Sequence, residues 1–465
     1  MIPNSRQSLL IFPLIIISLF LSFDAFAAGV ELYWSSQSSL SLEYDDNINL
    51  TNENTEDDII TLINETVNIG IKSEDFDSSI DLSIGYAFYQ ENDDNNSFRG
   101  NLNLSNFKQY PIADNVILDL DGSMSLTDDP VELDELVASD RRSRNRYFRN
   151  NSTARVTYQF GEEETMFLGY STNMLANEDP DIEDSRESRP FFGLNYWFDL
   201  YHGFTMRAAY ARASFDVSSD YDEYVSSASY IWRLKETTSA NLSYARTSQD
   251  FEDEGEEDHR FQNLTLGLSH QFDDSLSASV SAGMYRQNFD GADEDGGLSW
   301  SATVNKELED FILSANGGYF QQNPDSFRLE REFSGSINVS RQYEYSAISF
   351  TGSRSFREQF FEAENLGFTK EESLSGNYSI QPLEDLNIDV SASYRRNRYV
   401  ELEFPRKDNV WQIGTSLSYR IFEWLTASLS LSHRERDSNA ADERYKANRV
   451  FFSLTYPYEG RPVEF

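Results

Sequence analysis

The sequence predicts an all-β protein: a transmembrane antiparallel up-and-down β-barrel of about 22 strands, within a range of roughly 18 to 24. Three observations predict it. Apolar residues alternate with polar ones in short segments along the chain, short and long connections follow each other in strict alternation, and aromatic residues gather at the segment ends. No helical pattern of about 10 to 15 residues separates two segments, so neighbouring strands are expected to be antiparallel.

The hairpin of residues 263–284 shows the alternation most clearly. In its two arms the even positions are apolar except at His270, and the odd positions are mainly serine, threonine and glycine. Period-two patterning places the apolar side chains on one face of a two-stranded ribbon. The other face is too polar for a β-sandwich core and is typical of a wall between lipid and water. The expected register places Phe272 opposite Leu276 and Leu268 opposite Val280, around a three-residue loop at 273–275.

The composition agrees with a barrel that has a wet lumen. The chain has 465 residues, 39% hydrophobic and 14% aromatic, with no cysteine and a net charge of −41. These values exclude a helical membrane protein and fit one compact soluble core poorly. A barrel strand needs apolar side chains only at alternate positions, so its overall hydrophobicity resembles that of a soluble protein.

Residues 1–27 have the pattern of a secretory signal peptide. Arg6 supplies the charge, residues 9–23 form the apolar run, and Ala25-Phe26-Ala27 is a small-residue cleavage pattern. A membrane anchor is the alternative, but this run is shorter than the roughly 20 residues of a span, and Asp24 follows it at once. Residues 28–465 are then expected to form a single barrel domain with no N-terminal plug, because the first strand begins soon after the cleavage site.

The strand segments follow one another to the end of the chain. In order, their expected centres are 39–44, 59–71, 80–88, 98–107, 116–126, 147–160, 166–175, 191–198, 204–215, 224–234, 239–247, the two arms of 263–284, 298–304, 312–320, 333–341, 345–356, 374–380, 386–396, 410–420, 425–432 and 449–456.

The connections between these segments are alternately short and long, beginning and ending with a long one. This is the pattern of periplasmic turns and extracellular loops, and it predicts a cell outer membrane location in a Gram-negative bacterium with both termini on the periplasmic side. The long connections are acidic: residues 249–260 hold seven acids and residues 177–189 hold six.

Aromatic residues mark both expected membrane interfaces. Strands that run toward the periplasm end in Tyr158 and Phe160, Tyr196 and Phe198, and Tyr230 and Trp232; strands that run outward end in Tyr86 and Phe88, Tyr170 and Tyr210. Such girdles are typical of transmembrane barrels. A soluble β-sandwich is the alternative, but it would not leave serine on nearly every opposite face.

Parity within the strands predicts which side chains face the lumen. The lining is expected to be hydrophilic and mixed in sign, without stacked aromatics for sugars, and an acidic mouth would enrich cations over about a Debye length. The expected lumen-facing residues are Asp81, Asp119, Asp121, Arg155, Arg207, Asp389 and Arg395, with Ser277, Ser279, Ser281, Ser428 and Ser430.

No metal or cofactor site is predicted with a defined ligand set. Clustered carboxylates in the loops can bind Ca²⁺ or Mg²⁺, or bridge to lipopolysaccharide, although charged runs are usually solvated loops. The stretch 293–296 lacks the spacing of a calcium loop. One basic run reverses the sign of the charge, and it is expected at the extracellular rim of the sixth strand, paired with acids or lipid phosphates: Arg141, Arg142, Arg144, Arg146 and Arg149.

The chain is not expected to be an enzyme, and no catalytic residue is predicted. It has no cysteine nucleophile and no Gly-x-Ser-x-Gly motif, and its four histidines are dispersed around the barrel. They are His202, His259, His270 and His433. No nucleic acid partner is expected.

The first strand, residues 40–50, resembles the opening strand of a family of outer-membrane barrels found with exopolysaccharide biosynthesis and PEP-CTERM gene clusters, and its sharpest element is Tyr44-Asp45-Asp46-Asn47. The resemblance implies a barrel of porin type with a part in polysaccharide export, with secretion components as partners, and no catalytic residues. The alternating Val450, Phe452, Leu454 and Tyr456, with the terminal Phe465, resemble the signal that the barrel-assembly machinery recognises.

The last strand is expected to end near Tyr456, because Pro457 and Pro462 would interrupt it. The leading hypothesis for function is a passive channel for exopolysaccharide or another hydrophilic solute. A structural or surface-interaction barrel with cation-binding acidic loops is the second hypothesis, and an outer-membrane enzyme is the third.

Overall fold

A computed structural model describes residues 31–74, 76–129, 144–180, 182–252, 258–289, 295–319, 333–359, 367–399, 406–460 and 463–464. The expected signal peptide, Arg141, Arg142, residues 293 and 294 of the stretch 293–296, Pro462 and the terminal Phe465 lie outside the described residues. Within these ranges, no helix combines the length and the apolar character needed to cross a bilayer.

The described chain consists of β-strands and two single 3-10 turns. The strands are β1 (Glu31–Asp45), β2 (Asp58–Lys72), β3 (Asp77–Tyr89), β4 (Ser97–Asn103), β5 (Tyr110–Ala113), β6 (Val116–Thr127), β7 (Tyr147–Gln159), β8 (Thr165–Asn177), β9 (Ser185–Trp197), β10 (His202–Phe215), β11 (Tyr221–Lys235), β12 (Thr238–Phe251), β13 (His259–Asp273), β14 (Leu276–Phe289), β15 (Asp295–Leu308), β16 (Phe311–Tyr319), β17 (Phe333–Gln342), β18 (Ser346–Gln359), β19 (Gly367–Leu383), β20 (Leu386–Tyr399), β21 (Arg406–Phe422), β22 (Leu425–Ser438), β23 (Tyr445–Glu459) and β24 (Val463–Glu464).

These strands form one closed antiparallel barrel with 22 positions in its wall. β4 and β5 both pair with β6 and share one position, and β23 and β24 both pair with β1 and share another. β1 also pairs with β2, so the sheet closes on itself. The prediction of an all-β antiparallel barrel of about 22 strands is therefore confirmed.

The two faces of the wall differ in composition. One face carries the exposed apolar side chains, for example Leu40 and Leu42 of β1 and Leu82 and Ile84 of β3. The other face is rich in serine, glycine and charged residues. Because a closed barrel in a bilayer must present its apolar band to lipid, we assign the apolar face to the outside and the polar face to the lumen.

The strands are longer than the expected segments, mainly at the end that carries the long connections. We call this end the loop end and the opposite one the turn end. Most strands have 12 to 17 residues, whereas a tilted strand crosses the apolar core with about 9 to 11. The wall therefore extends beyond the bilayer at its loop end.

The expected register of the hairpin of residues 263–284 is confirmed in part. Leu268 lies opposite Val280 as expected, but Asp273 lies opposite Leu276, and the register shifts between Gln271 and Asp273. The expectation that Phe272 faces Leu276 is wrong. Phe272 is the extra residue of a bulge, which keeps the apolar parity while shortening the loop to two residues.

The expectation for the fourth segment is wrong in detail. It was a continuous strand over 98–107 with a turn at 110–115. The strand breaks after Asn103 and resumes at Tyr110. In the break, Leu104 and Phe107 pack on Ile80 in a buried apolar cluster. Backbone hydrogen bonds from the Leu104 N–H to the Gly122 oxygen and from the Leu120 N–H to the Phe107 oxygen still join the break to β6, and burial of the two side chains adds to them.

The last strand does not end at Tyr456. β23 continues to Glu459, with Pro457 opposite Gln37 of β1. The pairing of β23 with β22 ends at Thr455, so Pro457 is bonded to a neighbour on one side only. A proline is tolerated at such an edge position because its missing N–H leaves no ladder bond unmade.

The aromatic residues expected at the turn end form a continuous outer band. Their ring centroids are separated by 6.1 Å for Tyr158 and Phe160, 6.4 Å for Phe160 and Tyr196, 5.2 Å for Tyr196 and Phe198, 6.5 Å for Phe198 and Tyr230, and 4.9 Å for Tyr230 and Trp232. This band marks the interface on the turn side.

Candidate functional site

The candidate site lies in the lumen where the barrel closes. We call the eight wall positions from β20 through β23 and β1 to β4 the seam. At the loop end of the seam, inward-facing side chains are buried although they line a wide barrel; Asp45, Asp58 and Asp408 are at most 2% exposed. Other segments of the chain must therefore pack over these side chains inside the lumen.

The connection between β1 and β2, residues 46–57, is one of the segments that cover the seam, and we call it the lid. Ile48 is 0% exposed and packs on Ile60, Ala87 and Tyr89. Leu50 packs on Tyr445 and Ala447 across the closure of the barrel. The lid therefore carries its own apolar contacts onto both sides of the seam.

Asn47 organises the lid from within. Its side-chain amide donates to the carbonyl oxygens of Thr51 at 2.7 Å and Lys446 at 2.9 Å, and its side-chain oxygen accepts from the Thr51 N–H at 2.9 Å. Asp46 accepts two hydrogen bonds from Asn448, both at 2.6 Å. These bonds hold the start of the lid against β23.

Arg144, in the connection between β6 and β7, fastens the lid. Its Nε donates to the Ile48 carbonyl oxygen at 3.0 Å, and its other nitrogens lie 3.0 Å from Asp45 and 3.3 Å from Asp129. The Arg144 side chain is 1% exposed. The two neighbouring carboxylates offset the desolvation of this buried charge, which would cost several kcal/mol if it were unpaired.

Asp129 extends the same network across the lumen. It lies 3.2 Å from Arg449 of β23, which also contacts Asp45 at 2.9 Å. β6 and β23 are five wall positions apart, about 24 Å along the sheet at ~4.8 Å for each. The contact therefore crosses the lumen. We call Asp45, Asp129, Arg144 and Arg449 the latch.

A second ion pair lies beside the latch. Asp128 receives hydrogen bonds from Arg99 of β4 and from the Tyr89 hydroxyl. Burial raises the pKa of the Asp128 carboxyl, but the hydrogen bonds and charge of Arg99, with the hydroxyls of Tyr89 and Ser97, outweigh it and lower this pKa below its ordinary value. Asp128 therefore stabilises the folded mouth as an anion.

This lowered pKa predicts a loss of stability only at acid pH. A carboxyl with a lowered folded-state pKa contributes fully above its unfolded-state pKa of about 3.9, and the contribution disappears as pH falls through the folded-state value. We expect the difference in unfolding free energy between the wild type and Asp128→Asn to be constant from pH 7 to about pH 4 and to shrink below it. Urea unfolding of the reconstituted barrel measures both curves, and an unchanged difference at pH 3 would contradict the assignment.

Arginine and tyrosine side chains continue this packed layer along the seam. Arg406 lies over the Tyr399 ring at 4.8 Å, and Arg436 lies over the Tyr445 ring at 5.2 Å. Glu443 contacts both arginines, at 2.6 Å and 3.5 Å. The loop end of the seam is thus a polar core rather than an open rim.

Below this layer lies a cavity of about 590 Å³ that spans the seam from β20 to β4. Its lining mixes apolar residues, among them Leu50, Leu62 and Phe451, with hydroxyl and amide groups, three acids and three arginines. A volume of this size is within the usual range for small-molecule sites, about 300–1,000 Å³. Lining residues include Ser39, Ser41, Asn64, Ser391, Gln412, Ser416, Ser430 and Ser432, with Glu43, Asp129, Asp389, Arg99, Arg434 and Arg449.

The seven charged residues expected in the lumen all lie on the polar face of their strands, opposite the exposed apolar residues. Asp119 and Arg155 form an ion pair at 2.9 Å, and Asp81 accepts a hydrogen bond from Asn68 at 2.7 Å. Asp389 accepts from Asn387 at 2.7 Å and lines the cavity. Arg395 is buried at the loop end, whereas Asp121 and Arg207 are exposed.

The sequence analysis did not predict the aromatic rings on this polar face. Phe167 of β8 and Phe191 of β9 lie 6.2 Å apart, with Arg155 over the Phe167 ring at 5.8 Å. Each phenylalanine covers a glycine of the neighbouring strand, Gly193 and Gly169 respectively, where a Cβ would clash with the ring. The sequence does contain a signal for these inward-facing rings: each odd-numbered phenylalanine lies opposite a glycine of the neighbouring strand.

The histidines have separate neighbours. His202 bonds to the Tyr230 hydroxyl at 2.9 Å, His270 to the Thr238 hydroxyl at 2.8 Å, and His433 to Asn448 at 2.7 Å. His259 contacts the Phe251 ring. Among the described residues, no group of three or more histidine, aspartate or glutamate side chains could hold a metal ion; residues 253–257 of the acidic loops are outside them.

The described arginines of the basic run, Arg144, Arg146 and Arg149, do not all lie at the rim as expected. Arg146 does pair with an acid, Glu178, at 2.5 Å on the surface. Arg144 instead turns into the lumen and is buried. Arg144 therefore pairs with acids as expected, but inside the lumen and not at the rim, because the buried carboxylate of Asp45 and the partly buried carboxylate of Asp129 attract it there.

The fold is similar to that of solved siderophore receptors. The chain matches siderophore receptor PirA from Acinetobacter baumannii with a TM-score of 0.53, at 9% identity over 93% of this chain and 81% of that one. It matches PirA from Pseudomonas aeruginosa with a TM-score of 0.51, at 10% identity over 91% and 80%. A ferric enterobactin receptor variant from Pseudomonas aeruginosa in complex with enterobactin gives 0.53, at 10% identity over 93% and 82%.

No family model matches the chain, and no curated protein matches it. At 9 to 10% identity, the likeness to the receptors shows the fold alone. A closed barrel with an apolar outer band suggests the outer membrane.

Proposed function

We propose that this protein is an outer-membrane conduit for hydrophilic solutes, with exopolysaccharide as the leading candidate, and that the lid and latch cover its mouth on the seam side. The observation that carries the proposal is the cavity of about 590 Å³ directly beneath the lid, in which serine hydroxyls and amide groups lie among apolar side chains. Polar hydroxyl and amide groups are the partners that a carbohydrate chain needs for hydrogen bonds.

The charges of the cavity favour a neutral or weakly charged solute. Three acids are matched by three arginines in the lining, so an ionic ligand would gain little there. The chain as a whole carries −41, which would oppose the entry of an anionic polymer. A neutral polysaccharide meets neither obstacle.

Single-channel recording of the refolded protein in planar bilayers tests this function. We expect low, steady conductance that prefers K⁺ over Cl⁻ in a salt gradient, because acidic loops enrich cations within about 8–10 Å. Neutral oligosaccharides added on the loop side should reduce the current. Anion preference, or a barrel that stays silent in every latch variant described below, would contradict the conduit.

A further inference from the structure

Three aromatic side chains lie on the lumen face of β8 and β9. Each of them reaches over the glycine that lies directly opposite on the neighbouring strand. The pairs are Phe167 with Gly193, Phe191 with Gly169, and Trp197 with Gly203. A Cβ added to any of the three glycines would clash with the ring. Because the ring fills the space of a missing Cβ, it lies along the wall instead of standing up into the lumen.

Part of each ring remains in contact with the lumen, since all three side chains are only half-buried. Apolar surface that faces water has a free-energy cost. A glycine in the interior of a strand weakens the sheet, and it often marks a place where a ligand approaches the backbone closely.

Covering a glycine can also be a purely structural role. Tyr33 of β1 covers Gly70 of β2 in the same way, and its hydroxyl donates to Asp77 at 2.7 Å. The difference lies in the neighbours: Tyr33 has an aspartate beside it, whereas each of the three rings on β8 and β9 has an arginine.

Two arginines flank the phenylalanines. Arg155 of β7 lies two strands from Phe191 in the same row, and Arg207 of β10 lies two strands from Phe167 in the next row. The Arg155 guanidinium carbon is 5.8 Å from the centre of the Phe167 ring. Both arginines are exposed, so the two rings lie between guanidinium groups that face the water of the lumen.

The same combination occurs again at the turn end. The guanidinium carbon of Arg233 on β11 lies over the Trp197 ring, 3.6 Å from its centre. Trp197 follows Phe191 by six residues on the same strand, so the line of rings is about 20 Å long. We call these six side chains the aromatic patch: Phe167, Phe191, Trp197, Arg155, Arg207 and Arg233. The patch lies on β7 to β11, outside the seam that holds the cavity.

The chemistry of the aromatic patch matches that of a sugar ring. The C–H bonds of a pyranose carry partial positive charge and pack on the negative face of an aromatic ring. Its hydroxyl oxygens accept hydrogen bonds from guanidinium N–H groups. Two of the three arginines are already paired with acids, Arg155 with Asp119 and Arg233 with Glu163. The compensated charge favours a neutral glycan over an anionic one.

We propose that the aromatic patch binds the pyranose rings of a neutral glycan inside the lumen. The phenylalanines and Trp197 contact the C–H face of the sugar, and the arginines donate to its hydroxyl groups. The proposal rests on the conduit function, because it names the part of the wall along which the solute passes.

Isothermal titration of cellohexaose and maltohexaose into the full-length refolded barrel tests the patch. The detergent must have no sugar headgroup, because such a headgroup would compete for the same site. We expect at least one hexasaccharide to bind, and Phe167→Leu combined with Phe191→Leu to weaken its binding about tenfold. Leucine keeps an apolar side chain at both positions but removes the aromatic face. Arg207→Gln should weaken binding about fivefold, through loss of charge-assisted hydrogen bonds.

Two variants are matched controls. Tyr33→Leu removes a ring that covers a glycine elsewhere on the lumen face, and Arg212→Gln removes an exposed arginine from the outer face of the strand that carries Arg207. Both should bind the sugar as the wild type does, whatever their urea midpoints. Saturation-transfer NMR on the wild type needs no variant: irradiation of the aromatic protons of the protein should reach the C–H protons of the bound sugar.

Three results would overturn the proposal. They are no binding of either hexasaccharide to the wild type, an equal loss in Tyr33→Leu, and equal displacement of the sugar by polyethylene glycol of similar length, which has no ring to stack. Binding is measured without a bilayer, so the patch and the conduit are tested separately. A silent barrel that binds sugar contradicts only the conduit, and a conducting barrel that binds neither hexasaccharide contradicts only the patch.

Discussion

Arg144→Ala is expected to raise single-channel conductance several-fold and to lower the unfolding free energy by about 3–5 kcal/mol. The substitution leaves the buried Asp45 and the partly buried Asp129 with Arg449 as the one arginine of the latch, and removes the hydrogen bond to the Ile48 carbonyl. Uncompensated buried carboxylates favour conformations in which they regain water. The lid must then leave the seam, which opens the cavity to the loop side.

Arg146→Ala is the control for this effect. Arg146 lies two residues away in the same connection and pairs with Glu178, but the two side chains are 41% and 55% exposed. A surface pair of this kind contributes about 0–1 kcal/mol, so neither conductance nor stability should change much. If both variants conduct alike, or if Arg144→Ala conducts like the wild type, the latch does not hold the mouth closed.

The wall of the barrel could be predicted from the sequence because its physics is local. Alternation at period two fixes which side chains face lipid, and that pattern is repeated in every strand. Two errors in the wall lie where a single residue departs from the pattern, Phe272 in its bulge and Pro457 at its one-sided position. The third is the six-residue break between Asn103 and Tyr110, where Leu104 and Phe107 are buried. Neither single-residue departure changes which side chains of the strand face lipid, so the predicted number of strands was unaffected.

The mouth could not be predicted in the same way, because its contacts join residues that are far apart in sequence. Arg144 meets Asp45 across 99 positions, and Arg449 meets Asp45 across 404. A run of arginines indicates that acids will be found nearby, but it does not say whether the pair will be buried or exposed. Burial depends on where the connection between β6 and β7 enters the lumen.

The motif Tyr44-Asp45-Asp46-Asn47 carried more structural information than its use as a family resemblance suggested. Asp45 joins both arginines of the latch, Asp46 binds Asn448, and Asn47 shapes the lid. The apolar residues Ile48 and Leu50, which follow directly in a long polar connection, were the available signal that this segment packs inward.

Ile48→Asp is expected to release the lid without touching an ion pair. Ile48 is fully buried against Ile60, Ala87 and Tyr89. Burial of the Ile48 side chain contributes about 1.5–3 kcal/mol to holding the lid on the seam. A carboxylate in its place would have to be desolvated beside Tyr89. Because the lid can move into water instead, the expected result is an open mouth with an intact wall. Single-channel conductance should rise to the level of Arg144→Ala.

The combination of Ile48→Asp with Arg144→Ala separates a shared lid from two unrelated defects. If both substitutions release the same segment, the double variant should conduct no more than either single variant, and the losses in unfolding free energy should be less than additive. Ile48→Val is the size control, expected to cost about 0.5–1.5 kcal/mol and to keep the mouth covered. Additive increases in conductance, or an open mouth in Ile48→Val, would show that the lid and the latch act at different places.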